Sequence, residues 1–105
     1  MKSLSMMITE AFTAPEITPA EIASTVAGMN ASSASTVQKL FDKNFTSFTS
    51  YDDAYEAMMS VSQGNRKLTL ALAAYAWDKS RGITQKNIQE YNKFAHGVKS
   101  DFRKD

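Results

Sequence analysis

The stretch Asn65-Arg66-Lys67-Leu68-Thr69-Leu70-Ala71-Leu72-Ala73-Ala74-Tyr75-Ala76-Trp77-Asp78-Lys79-Ser80-Arg81-Gly82 decides the fold. From Leu68 to Trp77 every residue except Thr69 is apolar or aromatic, which leaves little polar face. A helix that is apolar nearly all round is a buried one. Its alanines let neighbouring helices approach closely, while Leu72 and Trp77 supply volume. Asn65 is a natural N-cap and Gly82 a natural stop. The spacing therefore predicts a central helix over about 66–81.

Working outward, the flanking segments are punctuated as helices too. Upstream, Ser50-Tyr51-Asp52-Asp53 opens a helix with acids in its first turn, where the helix dipole favours them. Tyr51, Ala54, Tyr55, Met58 and Val61 form its apolar stripe, and Gly64 closes it. Before that, Ser35-Thr36-Val37-Gln38 reads as a capping box after an Asn30–Ala34 loop, with Val37, Leu40, Phe41 and Phe45 along one face. Thr46-Ser47-Phe48-Thr49 interrupts that face. Thr18-Pro19-Ala20-Glu21 combines an N-cap hydroxyl, a proline at the first helical position and a glutamate placed to reach back to the cap. Ile17 and Ile22 are spaced as a hydrophobic staple around it, and Gly28 ends a helix over about 19–27. Downstream, Ile83-Thr84 repeats the staple-and-cap pattern with Ile88. The last helix is expected to carry Ile88, Tyr91, Ala95, Val98 and Phe102 inward.

No alternating strand pattern appears, and Pro15 and Pro19 both sit at a helix boundary. The expectation is an all-α domain: four to five short helices packed around the buried helix at about 66–81. At 105 residues with 43% hydrophobic content, the chain is sized for one core. Leu4, Met7, Ile8, Ala11 and Phe12 line one face of a short amphipathic helix that Pro15 must terminate. The organisation is thus read as a leader over 1–14 and a single helical domain over 15–105.

The chain has no cysteine, which excludes a disulfide framework, thiolate zinc sites and thiol catalysis. No apolar run approaches the roughly 20 residues needed to span a bilayer, and the N-terminus does not read as a secretory signal. The net charge of +1 hides an asymmetry. Residues 1–65 hold three cations against seven anions, and residues 66–105 hold nine against four. Such a split reads as two halves that attract each other within one fold, or as a basic surface for nucleic acid.

Catalytic chemistry needs a nucleophile, a base and an orienting group that converge. His96 is the sole histidine and, beside the packing residues Phe94 and Ala95, reads as a surface or rim residue rather than a general base. Asp52, Asp53 and Glu56 read as partners of a helix dipole rather than as a metal site. Gly64 and Gly82 stand alone, so no phosphate-cradling loop is present. Met58 and Met59 are expected to fill core gaps. No catalytic residue, cofactor or metal is assigned. One constellation suits recognition: two helices joined at Gly82-Ile83 suggest a helix-turn-helix. Its second helix would present Gln85, Lys86, Asn87, Gln89, Asn92 and Lys93, with Lys99 beyond them, to nucleic acid or to a protein partner. Asp78 stands where such a motif usually has a small residue, and an ordinary helical hairpin with a polar outer face is the competing reading.

Met1-Lys2-Ser3 followed by Ile8-Thr9-Glu10-Ala11 resembles the capsid-targeting leader of internal head proteins from large contractile-tailed bacteriophages. Those leaders begin Met-Lys-Ser/Thr and end in Ile-x-Glu or Leu-x-Glu before a small residue. The resemblance implies delivery into the assembling head, cleavage after the glutamate by a phage protease, packaging with DNA and injection into the host. There some members of the family block defence enzymes such as restriction nucleases. Carried over by position, Ile8 and Glu10 are the protease determinants and Ala11 the new N-terminus. The implied partner is a host or phage protein, with no membrane involved. Ile88-Gln89-Glu90 fits the same short pattern but is expected to lie within a helix and be shielded from cleavage.

Overall fold

The computed structural model describes residues 16–84 and 87–97. The described residues form five helices and no strand: α1 (Pro19–Ala27), α2 (Ala31–Asn44), α3 (Tyr51–Val61), α4 (Arg66–Ser80) and α5 (Ile88–Ala95). The protein is all-α. The leader assigned to 1–14 lies outside the described residues, as do Val98 and Phe102.

Helix α4 is the hub. Leu68, Ala71, Leu72, Ala73 and Ala76 are completely buried, and Ala74 and Tyr75 nearly so. It packs against α3, α5 and α1, while α1 also rests on α2 and α5. Coverage from several sides is what a sequence without a polar face demands. Only short side chains allow several helix axes to approach one rod together, and four of the six residues from Ala71 to Ala76 are alanine. Ile22, Val37, Met58 and Val61 supply matching knobs from α1, α2 and α3, each fully enclosed. Asn65 caps the helix, its side-chain oxygen accepting the Leu68 N–H at 3.0 Å. At the far end the Ile83 N–H returns to the Asp78 carbonyl (2.9 Å) and the Gly82 N–H to that of Lys79 (3.0 Å). That pairing is a Schellman closure, and Gly82 supplies the left-handed φ of 86° that it requires.

Helix α1 spans the residues that its punctuation predicts. The Thr18 hydroxyl accepts the Glu21 N–H at 3.1 Å, and the Glu21 carboxylate accepts the Thr18 N–H at 3.0 Å. Ile17 and Ile22 both lie in the core, as the staple requires. Helix α3 opens at Ser50, whose hydroxyl accepts the Asp53 N–H.

Three expectations are corrected. Helix α2 starts four residues before the Ser35 capping pattern, because Asn30 caps it by accepting the Ser33 N–H at 2.9 Å. Asn is as strong a cap as Ser, and the supposed loop is then a first turn whose Ala34 packs into the core. Thr36 sits inside the helix and donates its hydroxyl to the Ser32 carbonyl. Helix α5 starts not at Thr84 but after Asn87, which accepts the Gln89 N–H at 2.9 Å. It also stops early: α5 ends at Ala95 and Gly97 takes a left-handed φ of 83°, a stop the apolar periodicity conceals. Finally, Met59 does not fill the core. It is 50% exposed, whereas Met58 is completely buried.

If close helix approach around α4 sets the packing, one added branch at its centre is intolerable. Ala73→Leu should lower stability by about 1–3 kcal/mol through overpacking. Met59→Lys, on the exposed side of α3, should stay within about 0.5 kcal/mol of wild type. Urea unfolding of both variants checks the contrast.

Candidate functional site

A concavity begins where α1 is capped. Residues 16–19 lead into α1 and lie across α2 and α4, enclosing a cleft of about 220 Å³. Ile17, Thr18 and Pro19 form one wall, Gln38, Phe41 and Asp42 of α2 another, and Tyr75 and Lys79 of α4 a third. The Tyr75 and Phe41 rings lie 5.4 Å apart, and Phe41 stacks in turn on Phe45 at 5.3 Å.

Each polar group in the cleft has a structural reason for its position. Gln38 spans two helices: its carbonyl oxygen accepts the Ala20 N–H at 3.1 Å, and its amide donates to both Asp42 oxygens at 3.1 and 3.3 Å. The Ala20 N–H is one of the first-turn donors that α1 cannot satisfy itself. Glu16 holds the chain to α4, since its Oε2 accepts from the Tyr75 hydroxyl (3.1 Å) and from the Lys79 ammonium (2.6 Å). Lys79 also sits 5.9 Å from the centre of the Phe45 ring. The hydrogen bond from Lys79 holds the Glu16 carboxyl below its ordinary range; burial opposes this and the Tyr75 bond assists it. Burial pushes the Tyr75 hydroxyl upward, and the charges of Glu16, Asp42 and Glu21 push it further. The hydroxyl therefore remains a donor, in a field dominated by carboxylates.

The Glu16–Lys79 pair joins an acid of the first half of the chain to a cation of the second, 63 residues apart. It is a concrete instance of the attraction that the charge split suggests. None of Glu16, Gln38, Asp42, Tyr75 or Lys79 stands out as a site residue in the sequence. The only available signal is that split, because the cleft exists through packing between distant segments.

The residues proposed for a recognition helix are only partly brought together. Asn87 is the exposed cap of α5, Gln89 and Lys93 are exposed on it, and Asn92 is half-buried. Gln85, Lys86 and Lys99 lie outside the described residues. A helix-turn-helix joins its helices by three to four residues, whereas residues 81–87 separate α4 from an α5 of 8 residues. Asp78 explains the arrangement. It is 4% exposed, accepting from the Tyr91 hydroxyl (3.0 Å) and the Arg81 guanidinium (2.6 Å), and so fastens α5 and the turn to α4. Arg81 in turn lies over Trp77, 5.2 Å from the ring centre.

The remaining candidates fall outside any site. His96 is exposed just past the end of α5. Asp52, Asp53 and Glu56 are exposed on α3, and Asp53 accepts the Thr49 hydroxyl at 2.8 Å. Among the described residues no group of three or more His, Cys, Asp or Glu is placed to hold a metal ion. No described helix is long and apolar enough to cross a membrane. Comparison of the chain with models of known families, with curated proteins and with solved structures finds no match.

The lowered Glu16 value fixes a pH dependence. A carboxyl depressed in the folded state stabilises fully above its unfolded value of 4.5, and that contribution is lost as pH falls through the folded value. Wild type should therefore be more stable than Glu16→Gln near neutrality. The gap should close as the pH of the urea titration drops from about 6 to about 3. A gap that widens on acidification would contradict the assignment.

Proposed function

We propose that this chain is a non-enzymatic protein of a large contractile-tailed bacteriophage. It is packaged in the head after loss of its leader, and acts in the host cytoplasm by binding and inhibiting a host protein such as a defence nuclease. The observation that carries the reading is the leader pattern Met1-Lys2-Ser3…Ile8-Thr9-Glu10-Ala11. Two features of the body support it. The inward-facing ionisable groups are engaged in holding helices together: Asp78 ties α5 and the Arg81 turn to α4, and Glu16 ties the α1 entry to Tyr75 and Lys79. His96, the one imidazole, sits exposed at a helix end.

The second Ile-x-Glu sequence supports a single processing point. Ile88-Gln89-Glu90 forms the first turn of α5, with the Glu90 N–H bonded to the Asn87 carbonyl at 2.9 Å and Ile88 packed against the core. Proteases act on exposed, extended backbone, so this copy is protected while the fold persists.

Intact-mass spectrometry of the protein from purified phage particles tests the reading. A chain starting at Ala11, with no fragment ending at Glu90, is the expected result. A chain retaining Met1 throughout the particle population would overturn the processing claim and with it the packaging route.

A further inference from the structure

We propose that the cleft between the α1 entry, α2 and α4 receives the guanidinium side chain of an arginine presented by a protein partner. This names the partner chemistry for the protein-binding role above and rests on that role.

Charge decides the sign of the occupant. Lys79 is the only cation among the described lining residues, and it is already paired with Glu16 at 2.6 Å. Asp42 accepts only the Gln38 amide, and no cation lies within ion-pair distance of it among the described residues. Both partners of Glu16 meet at Oε2, which leaves Oε1 without a hydrogen-bond partner among the described residues. Glu21 stands close by in the capping box. The cleft is therefore net negative, and an anionic ligand is repelled.

Shape and surface decide the rest. A cavity of about 220 Å³ falls below the roughly 300–1,000 Å³ of pockets that enclose whole small molecules, and suits one long side chain. Phe41 and Tyr75 line its floor but are almost wholly buried, so the accessible recognition groups are the carboxylates. A guanidinium presents a planar fork to carboxylates, which a rounded, strongly hydrated ammonium does not. Gln38 is held at both ends, by Ala20 and by Asp42, so the acceptor is oriented before anything binds. The raised Tyr75 hydroxyl fits the same picture, because three carboxylates act on it.

The test uses the full chain labelled with nitrogen-15 and titrated with N-acetyl-arginine-N′-methylamide. The control is the citrulline analogue, which has the same shape and no charge. Saturable shifts are expected at Thr18, the Gln38 side-chain amide, Asp42 and Tyr75. The dissociation constant should be on the order of a millimolar, as befits a single side chain. The citrulline analogue should give no saturable shift, and Asp42→Asn should weaken arginine binding at least about fivefold. Asp42 is exposed, so this variant should keep the wild-type spectrum elsewhere, and Asp42→Ala provides a second measure of the same loss. Absence of saturable shifts, equal binding of citrulline, or unchanged affinity in both Asp42 variants would overturn the proposal. None of these results bears on whether the leader is removed, so the two claims fail separately.

Discussion

Everything in this fold answers to one constraint: α4 must be kept from water on nearly every side. Its central residues are alanine and leucine without a polar face, and burial of Leu68, Ala71, Leu72, Ala73 and Ala76 is complete. Helices α3, α5 and α1 are the walls of that enclosure, and α2 closes against α1 and α3. Small side chains make the enclosure feasible and also make it tight, since a close-packed interior has no room to absorb extra atoms. The polar residues within it are served locally. The Ser62 and Thr69 hydroxyls hydrogen-bond to each other, and whichever accepts donates its own proton to a local carbonyl, that of Met59 (3.1 Å) for Ser62 or of Asn65 (2.8 Å) for Thr69.

Asp78 is the exception that gives the bundle its asymmetry. A buried carboxylate is costly unless its oxygens are fully engaged. Here one oxygen takes the Tyr91 hydroxyl and the other the Arg81 guanidinium. The Tyr91 hydroxyl is in turn pushed upward by burial and then by the Asp78 charge, so it stays a donor. This interaction sets where α5 lies and turns the chain after Gly82. The same residue that is out of place in a helix-turn-helix is the residue that forms the joint.

Most of the architecture was legible because helix ends carry local chemistry. Thr18 to Glu21, Ser50 to Asp53, and Asn65 each satisfy backbone donors within three residues of themselves, so a linear reading finds them. Where two caps compete, locality misleads. Asn30 won over Ser35, since the turn it opens packs Ala34 into the core, and Asn87 won over Thr84. Met59 was misread because neighbouring residues on a helix point some 100° apart, so one of a Met pair faces out. The cleft was not legible at all. Glu16, Gln38 and Lys79 meet only after α1, α2 and α4 have assembled, and no spacing in the chain encodes that meeting.

Asp78 and Glu16 both serve as joints on α4, one holding α5 and the other the entry to α1. Both joints require α4 to be the last element to let go. Native-state hydrogen exchange measures this directly, because amides buried in the most stable unit open only when the whole domain unfolds. The backbone amides of Leu72 to Ala76 should exchange with the free energy of global unfolding, above any amide of α1 or α3. Exchange of the α4 amides through a smaller, separate opening, while α1 or α3 stays protected, would contradict the account.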